Sequence, residues 1–499
     1  MDPWNSTSSD HGQWSYSNSK DVINMDNPDL NTDRPDLNTE GEDNSELMEE
    51  KTFKTRVQKF GDTTTLHGAR YVTTPKYHGL RRIIWVLLIV GLNSYLWMSI
   101  IGSFVKYFQH PVDSFVKMSY STNLTFPAVT ICNYNQFRKS AVGEELIDLL
   151  ALIYNPSSFQ DNSINWTIID NTIRDRGYKT EDIVWNGAHQ IEDMLQNCSW
   201  RMLKPCGAEN FTKVITDWGV CYTFNEPQDS SDALAINQPG NNNGLFVRLN
   251  IEQDEYVYGE DSAAGIKILL HPQGVRPLVR ELGFSVSPGF ETSVSVRLTK
   301  HTNLQYPFPS NCKATEDGTK YSKLYTVHNC QYECRISYAV DKCKCRDYRY
   351  PGNATFCSPQ LLKKCLYPKE EEFVEQNLGT SCKCPIPCDS RNYEGKISIA
   401  YLPGRHIVKA LMERLNASKE YIRENFLDLK IFFESMSYET VTEVGSYSSD
   451  TMLSDIGGQM GLLAGMSLVT LAEFIDFFIA ICCEKYGPSQ TTRRKSIVK

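Results

Sequence analysis

The first 131 residues hold no cysteine, although the chain has 16 in its 499 residues. Positive charge is also short. Lys and Arg number 51 against 60 Asp and Glu, for a net charge of -9. A nucleic-acid binder would show a basic face instead, so no nucleic-acid partner is expected. Mean hydropathy is low, -0.39, which excludes a transporter with most of its mass in lipid. Metal-ligand spacings, a nucleophile elbow and a phosphate-binding loop are all missing. Neither an enzyme nor a cofactor is therefore expected. Long hydrophobic runs are scarce as well; the chain has two.

The first run, Ile83–Val105, is uncharged and follows Lys76, Arg81 and Arg82. Its length of about 23 residues suffices to cross a bilayer as a helix. It is too long, and too far from the N-terminus, for a cleaved signal. The second run, from Ile456 to Cys483, contains Glu473 and Asp476 and precedes Lys485, Arg493, Arg494 and Lys495. Carboxylates inside a membrane face protein, water or an ion path. Basic residues flank the outer ends of both runs, which predicts cytosolic termini on a plasma-membrane protein. The expected organisation is a cytosolic region 1–80 with 1–50 disordered, a first span 81–106, an extracellular domain 107–451, a second span 452–483 and a cytosolic tail 484–499.

Fourteen cysteines fall between Cys132 and Cys388, with Cys482 and Cys483 near the C-terminus. So dense a set reads as a disulfide framework in an oxidising compartment. The pairs Cys343/Cys345 and Cys382/Cys384 would suit zinc in a cytosolic chain, a reading the flanking spans disfavour. Six glycosylation sequons, at Asn123, Asn165, Asn197, Asn210, Asn353 and Asn416, lie in the same stretch. Alternating runs at 244–250, 265–271 and 292–298 predict half-buried strands. Helices are expected over 144–153 and 405–426, the second with Ile407, Leu411, Leu415, Tyr421 and Ile422 on one apolar face. The stretch 312–388 has little apolar material and should need its staples. The predicted fold class is a membrane protein with two transmembrane helices per subunit and a large disulfide-rich α+β extracellular domain.

Several distinct stretches occur in order: Leu66-His-Gly68, Phe126-Pro-Ala-Val-Thr-Ile-Cys-Asn133, Gln253-Asp-Glu-Tyr256, Leu282-Gly-Phe284, Pro288-Gly-Phe290, the Cys312–Cys388 cluster, Tyr421-Ile-Arg-Glu-Asn425 and Asp455-Ile-Gly-Gly-Gln-Met-Gly461. On these the chain resembles the degenerin/epithelial sodium channel family, and most closely its acid-sensing branch, over about residues 60–480. The resemblance implies a homotrimer, or a heterotrimer with related subunits, around an amiloride-sensitive, sodium-selective pore in membrane lipid. It implies a selectivity filter at Gly465, Met466 and Ser467, where carbonyl and hydroxyl oxygens replace part of an ion's hydration. Met466 departs from the small residue of the branch. Ser454, Asp455, Gly458 and Gly461 would form the pore mouth and gate, and His67, Gly68, Glu473 and Asp476 the inner pore. Gly457 and Gly461 also fit a plain small-residue helix-packing face.

The resemblance further implies the pairs Cys132–Cys221, Cys198–Cys206, Cys312–Cys388, Cys330–Cys384, Cys334–Cys382, Cys343–Cys365 and Cys345–Cys357. Cys482 and Cys483 would be free or palmitoylated. For gating, candidate proton sensors are His110, the pair Glu260 and Asp261, and the run Glu370, Glu371 and Glu372. Carboxylates facing one another would raise each other's pKa. Lys117, Met118, Gln238 and Pro309 depart from the acid-sensing pattern. The stimulus is therefore open between protons, a peptide or other small extracellular ligand, and constitutive opening. An ATP-gated channel would need an ectodomain lysine cluster, which is missing. A two-anchor receptor without a pore would have no use for the second-span carboxylates.

Overall fold

The computed structural model describes residues 43–154, 164–177, 179–227, 232–257 and 261–486. The chain divides into two compact units, one of residues 1–93 and 461–499, the other of residues 94–460.

The larger unit is built on two sheets. The alternation in Leu245–Asn250 buries Leu245, Val247 and Leu249, and that in Phe290–Thr302 buries Val294, Val296 and Leu298. Both strands belong to an eight-stranded sheet. Its order runs Val112–Tyr120, Ser437–Gly445, Phe290–Thr302, Phe426–Phe433, Leu245–Asn250, Leu195–Trp200 and Lys204–Pro205, with Asp389–Tyr401 paired to Phe290–Thr302. The second sheet has five strands, in the order Phe284–Val286, Ile266–His271, Ala128–Asn133, Val220–Phe224 and Phe211–Ile215. Ala128–Asn133 is buried on both faces and reads as a continuous apolar-rich run, as a central strand does. Side chains of both sheets share one core, with Ile131 and Ile268 beside Val296, Leu429 and Phe433. Within the first sheet, Arg248 grips buried Asp428 through two bonds of 2.6 Å.

Four stretches singled out in the sequence meet here. The Tyr256 hydroxyl donates to Asn133 Oδ1 at 2.6 Å, and the Gln253 amide donates to Asn425 Oδ1 at 2.6 Å. Gly289, with φ of 77°, donates its N–H to the Phe426 carbonyl. A side chain there would run into the Arg423 carbonyl.

Seven disulfides join the pairs named above, Cys132–Cys221 through Cys345–Cys357. Helical spacing explains two of them. Cys330 and Cys334 sit one turn apart on Val327–Cys343 and meet Cys384 and Cys382 on a single partner segment. The region is less bare than its composition suggests. Tyr332, Ile336, Tyr348, Tyr350, Leu362 and Leu366 are buried together with Leu146, Leu150 and Ile153 of Glu144–Tyr154. Three tyrosines supply much of the apolar bulk, which a reading of aliphatic residues alone overlooks.

Other differences have local causes. The helix expected over 405–426 is two, Val408–Leu415 and Lys419–Asn425. Asn416 takes the left-handed conformation, φ 47°, and ends the first. The Ser418 side chain then accepts from the Tyr421 amide and starts the second. Leu411 and Ile422 are buried as expected, but Ile407 is exposed. Helix α1 (Asp43–Thr63) enters the stretch 1–50 that was expected to be disordered, so 43–50 are helical; residues 1–42 lie outside the described residues. The first hydrophobic run lies in a 30-residue helix, Gly79–Phe108. The second is not one helix but two, Ser449–Ala464 and Leu468–Tyr486.

Candidate functional site

The break in the second run falls on Gly465, Met466 and Ser467, with a 72° bend between the half-helices. Gly465 has a φ of 64°, the left-handed region, and any β-carbon there would collide with the His67 imidazole. Both conditions demand glycine. Gly68, with φ of 85°, lies against Trp85 and Ile89 and turns the chain into the short helix Ala69–Thr73. His67 donates its backbone N–H to the Ala464 carbonyl at 3.2 Å. The Leu66-His-Gly68 turn is thereby fastened to the last residue before the break.

Ser467 caps the trailing half-helix reciprocally. The Thr470 side-chain oxygen accepts from the Ser467 amide at 3.0 Å, while the Ser467 oxygen accepts from the Thr470 amide at 3.4 Å. This is the geometry of a capping box, with threonine in the third position. Thr470 is fully buried, and its hydroxyl lies 2.5 Å from that of Thr65. The Glu473 carboxylate accepts from the Thr64 hydroxyl at 3.0 Å and from the Thr65 amide at 3.1 Å. A chain of hydroxyls thus links the segment before the first long helix to the backbone of Ser467. Glu473 is committed to that chain, whereas Asp476 is exposed and lines a groove of about 600 Å³ with Arg56, Lys59, Phe60 and Phe477. Phe60 stacks on Phe477 at 4.5 Å.

Ser454, Asp455, Gly458 and Gly461 are exposed on the leading half-helix. A β-carbon at Gly457, Gly458 or Gly461 would meet nothing within 4 Å. Asp455 accepts a 2.7 Å bond from the Tyr447 hydroxyl, and Lys106 sits 4.4 Å over the Tyr447 ring. Strand β1 (Val112–Tyr120), which follows the first long helix, pairs over nine residues with Ser437–Gly445, which leads towards the second.

The proposed proton sensors are dispersed. His110 has a φ of 47° and meets Phe308 edge-on at 5.6 Å. Glu260 lies outside the described residues, and Asp261 is exposed. The three glutamates do not act as one cluster. Glu370 bonds the buried Tyr350 hydroxyl, Glu371 is exposed, and Glu372 accepts from Tyr338 at 2.7 Å and Lys369 at 2.5 Å. Burial pushes the Glu370 pKa up, against the opposing bond from Tyr350 and the charge of Arg335. The Lys369 and Tyr338 bonds hold Glu372 below the usual range. No bond joins Asp261 to these glutamates among the described residues.

All six sequon asparagines are exposed. Cys482 is a free, exposed thiol; the Cys483 side chain lies outside the described residues. Thr64, Thr65, Thr470 and Tyr447 escaped the sequence reading. The Ser467-x-x-Thr470 spacing, a capping-box pattern directly after the glycine, was the signal for Thr470.

With this geometry in place, the comparisons agree on a class. The family model described as amiloride-sensitive sodium channel matches residues 60–477. The chain belongs to that family of ion channels and is not an enzyme. It is 35% identical over 440 residues to acid-sensing ion channel 1 of Gallus gallus, covering 84% of this chain and 83% of the relative. It is 33% identical over 448 residues to acid-sensing ion channel 2 of Rattus norvegicus, covering 86% and 87%. A solved proton-activated chloride channel aligns at 9% identity and a TM-score of 0.30, covering 80% of this chain and 96% of its own, a likeness that carries no argument.

Proposed function

We propose that three copies of this chain, or this chain with related subunits, surround a sodium-selective pore in the plasma membrane. The first span is the helix Gly79–Phe108 and the second is the bent pair of half-helices. Both termini are cytosolic, and roughly residues 107–451 face outward. The constriction is Gly465-Met466-Ser467. The observation that carries this reading is the break itself. An interruption of helical hydrogen bonding inside an apolar run leaves backbone groups that hydrocarbon cannot satisfy. Such a break is tolerable where it lines water, and the fastening of Ser467 by Thr470 and of Ala464 by His67 gives it one defined shape. The open glycine face at Gly457, Gly458 and Gly461 leaves room for close approach of other helices.

Extracellular protons gate or modulate this pore. Two features support this. The relatives bear acid-sensing names, and Glu370 is held against Tyr350 with its pKa raised by burial. The test is two-electrode recording across external pH, with sodium or potassium outside and with amiloride. Inward sodium current that amiloride blocks, with ion preference altered by Ser467→Ala, is the expected result. Unchanged preference in Ser467→Ala would overturn the filter assignment. A current indifferent to pH but opened by a peptide, or open at rest, would overturn proton gating alone.

A further inference from the structure

The larger unit holds a cavity of about 490 Å³ that the conduction reading does not use. One wall is the apolar face of Glu144–Tyr154, where Leu146, Leu149, Leu150 and Ile153 recur at helical spacing. Ile173, Ile183 and Val184 close a second side, and Phe356 and Leu362 of the cysteine-rich segment a third. At the polar margin stand Asp170, Arg174, Arg346 and Asp347. Two carboxylates face two guanidiniums there, and Glu181 and Asp347 act on Arg346 through space, but the direct bonds are unevenly shared. Asp347 is consumed by Arg349 at 2.9 Å and by the Tyr367 hydroxyl at 2.9 Å. Asp170 accepts from the Gln360 amide at 3.2 Å. Arg346 is anchored by Nε to the Ala354 carbonyl and by Nη1 to the Tyr350 carbonyl, both at 2.8 Å, and lies 4.1 Å over the Phe356 ring. Neither of its bonded partners is a carboxylate. Arg174 is bonded to the neutral side chain of Asn171.

We propose that this cavity binds a small amphipathic anion, an aromatic or aliphatic body carrying one acidic head group, with the head beside Arg346 and Arg174. The volume lies in the range of small-molecule sites, and apolar walls with a few placed polar groups are their usual make-up. A planar guanidinium held in place by two carbonyls is pre-organised for a carboxylate or sulfonate. A neutral molecule would give Arg346 and Arg174 no charge-assisted bond, whereas an acidic head group would supply the directly bonded acid that neither has among the described residues. An occupant would touch Glu144–Tyr154, Trp166–Asp175, Thr180–Gly187 and the cysteine-rich segment together, and so stiffen their packing. Binding is the readout, so its failure is separate from any failure of the conduction reading.

The test uses the full chain in lipid nanodiscs and the probe naphthalene-2-sulfonate, with naphthalene-2-methanol as its uncharged counterpart. Saturable sulfonate binding is expected, with the alcohol about tenfold weaker or more, the size of a charge-assisted hydrogen bond. Arg346→Gln should weaken the sulfonate by a similar factor, and Leu149→Trp, which fills the space, should abolish it. Arg174→Gln alters an exposed side chain and serves should Arg346→Gln fail to fold; it should weaken the sulfonate a few-fold. Absence of saturable binding, equal affinity for the alcohol, or full affinity in both arginine variants would overturn the proposal.

Discussion

Asp428 and Thr470 are both polar, both buried, and held in opposite ways. Asp428 is buried on the strand face opposite the core residues Leu427, Leu429 and Ile431, and a guanidinium grips both of its oxygens. Thr470 sits at a helix break flanked by exposed Leu468 and Val469, and is held by hydroxyls and an amide. The first arrangement is a charge pair bonded at two points. The second is a set of neutral bonds, each of modest net worth. A scaffold held by a charge pair and a helix break held by neutral bonds are therefore distinguishable by what a single substitution does.

Asp428→Ala should have the largest effect. It strands the Arg248 charge in the sheet and should cost about 3–5 kcal/mol, read as a lost or much earlier unfolding transition of the purified protein. The double substitution Cys345→Ser and Cys357→Ser comes next, at about 2–4 kcal/mol, checked by the same melt under oxidising conditions. Thr470→Val keeps the shape and removes the hydroxyl. It should leave the scaffold transition in place but lower the sodium-over-potassium permeability ratio by about fivefold, an effect of roughly 1 kcal/mol. A lowered melting point with an unchanged ratio would place Thr470 with the scaffold and erase the contrast.

Glu370→Gln should be the smallest. Burial raises the Glu370 pKa in the folded chain, so the folded state keeps its proton to higher pH than the unfolded state does. That contribution is fully present below the unfolded value of about 4.3 and is lost as pH rises through the higher folded value. Glutamine imitates the protonated form. Melts taken from pH about 4 to 7 should decline less steeply in the variant than in the wild type. Parallel curves would show that Glu370 does not titrate differently on folding.

The two regions also differed in how legibly they were written. The strands at 245–250, 266–271 and 290–302 announce themselves by alternation, because one face must be buried. The break at Gly465–Ser467 does not. Its residues sit within a largely apolar run, and the group that keeps residue 465 a glycine lies about 400 residues earlier, in the His67 ring beside it. Sequence distance hides such a cause. The break falls on the triplet that the resemblance singled out, yet the threonines that hold it carry no charge and form no rare pattern. The split at Asn416 shows the same limit on a smaller scale. The apolar face runs on across it, so periodicity merges two helices that a left-handed asparagine and a serine cap keep apart. Glu370, Glu371 and Glu372 read as one acidic run, but a helix points neighbours in different directions and gives them a tyrosine, solvent and a lysine.

The nine-residue ladder between Val112–Tyr120 and Ser437–Gly445 constrains how this molecule can change length. Each rung pairs one residue from the root of the first helix with one from the root of the second. Adding a single residue to either strand would turn every later side chain over to the opposite face. Viable insertions in these roots should therefore arrive in pairs or be absorbed as a bulge, and a library of one-, two- and three-residue insertions scored for surface expression would display that odd–even rhythm.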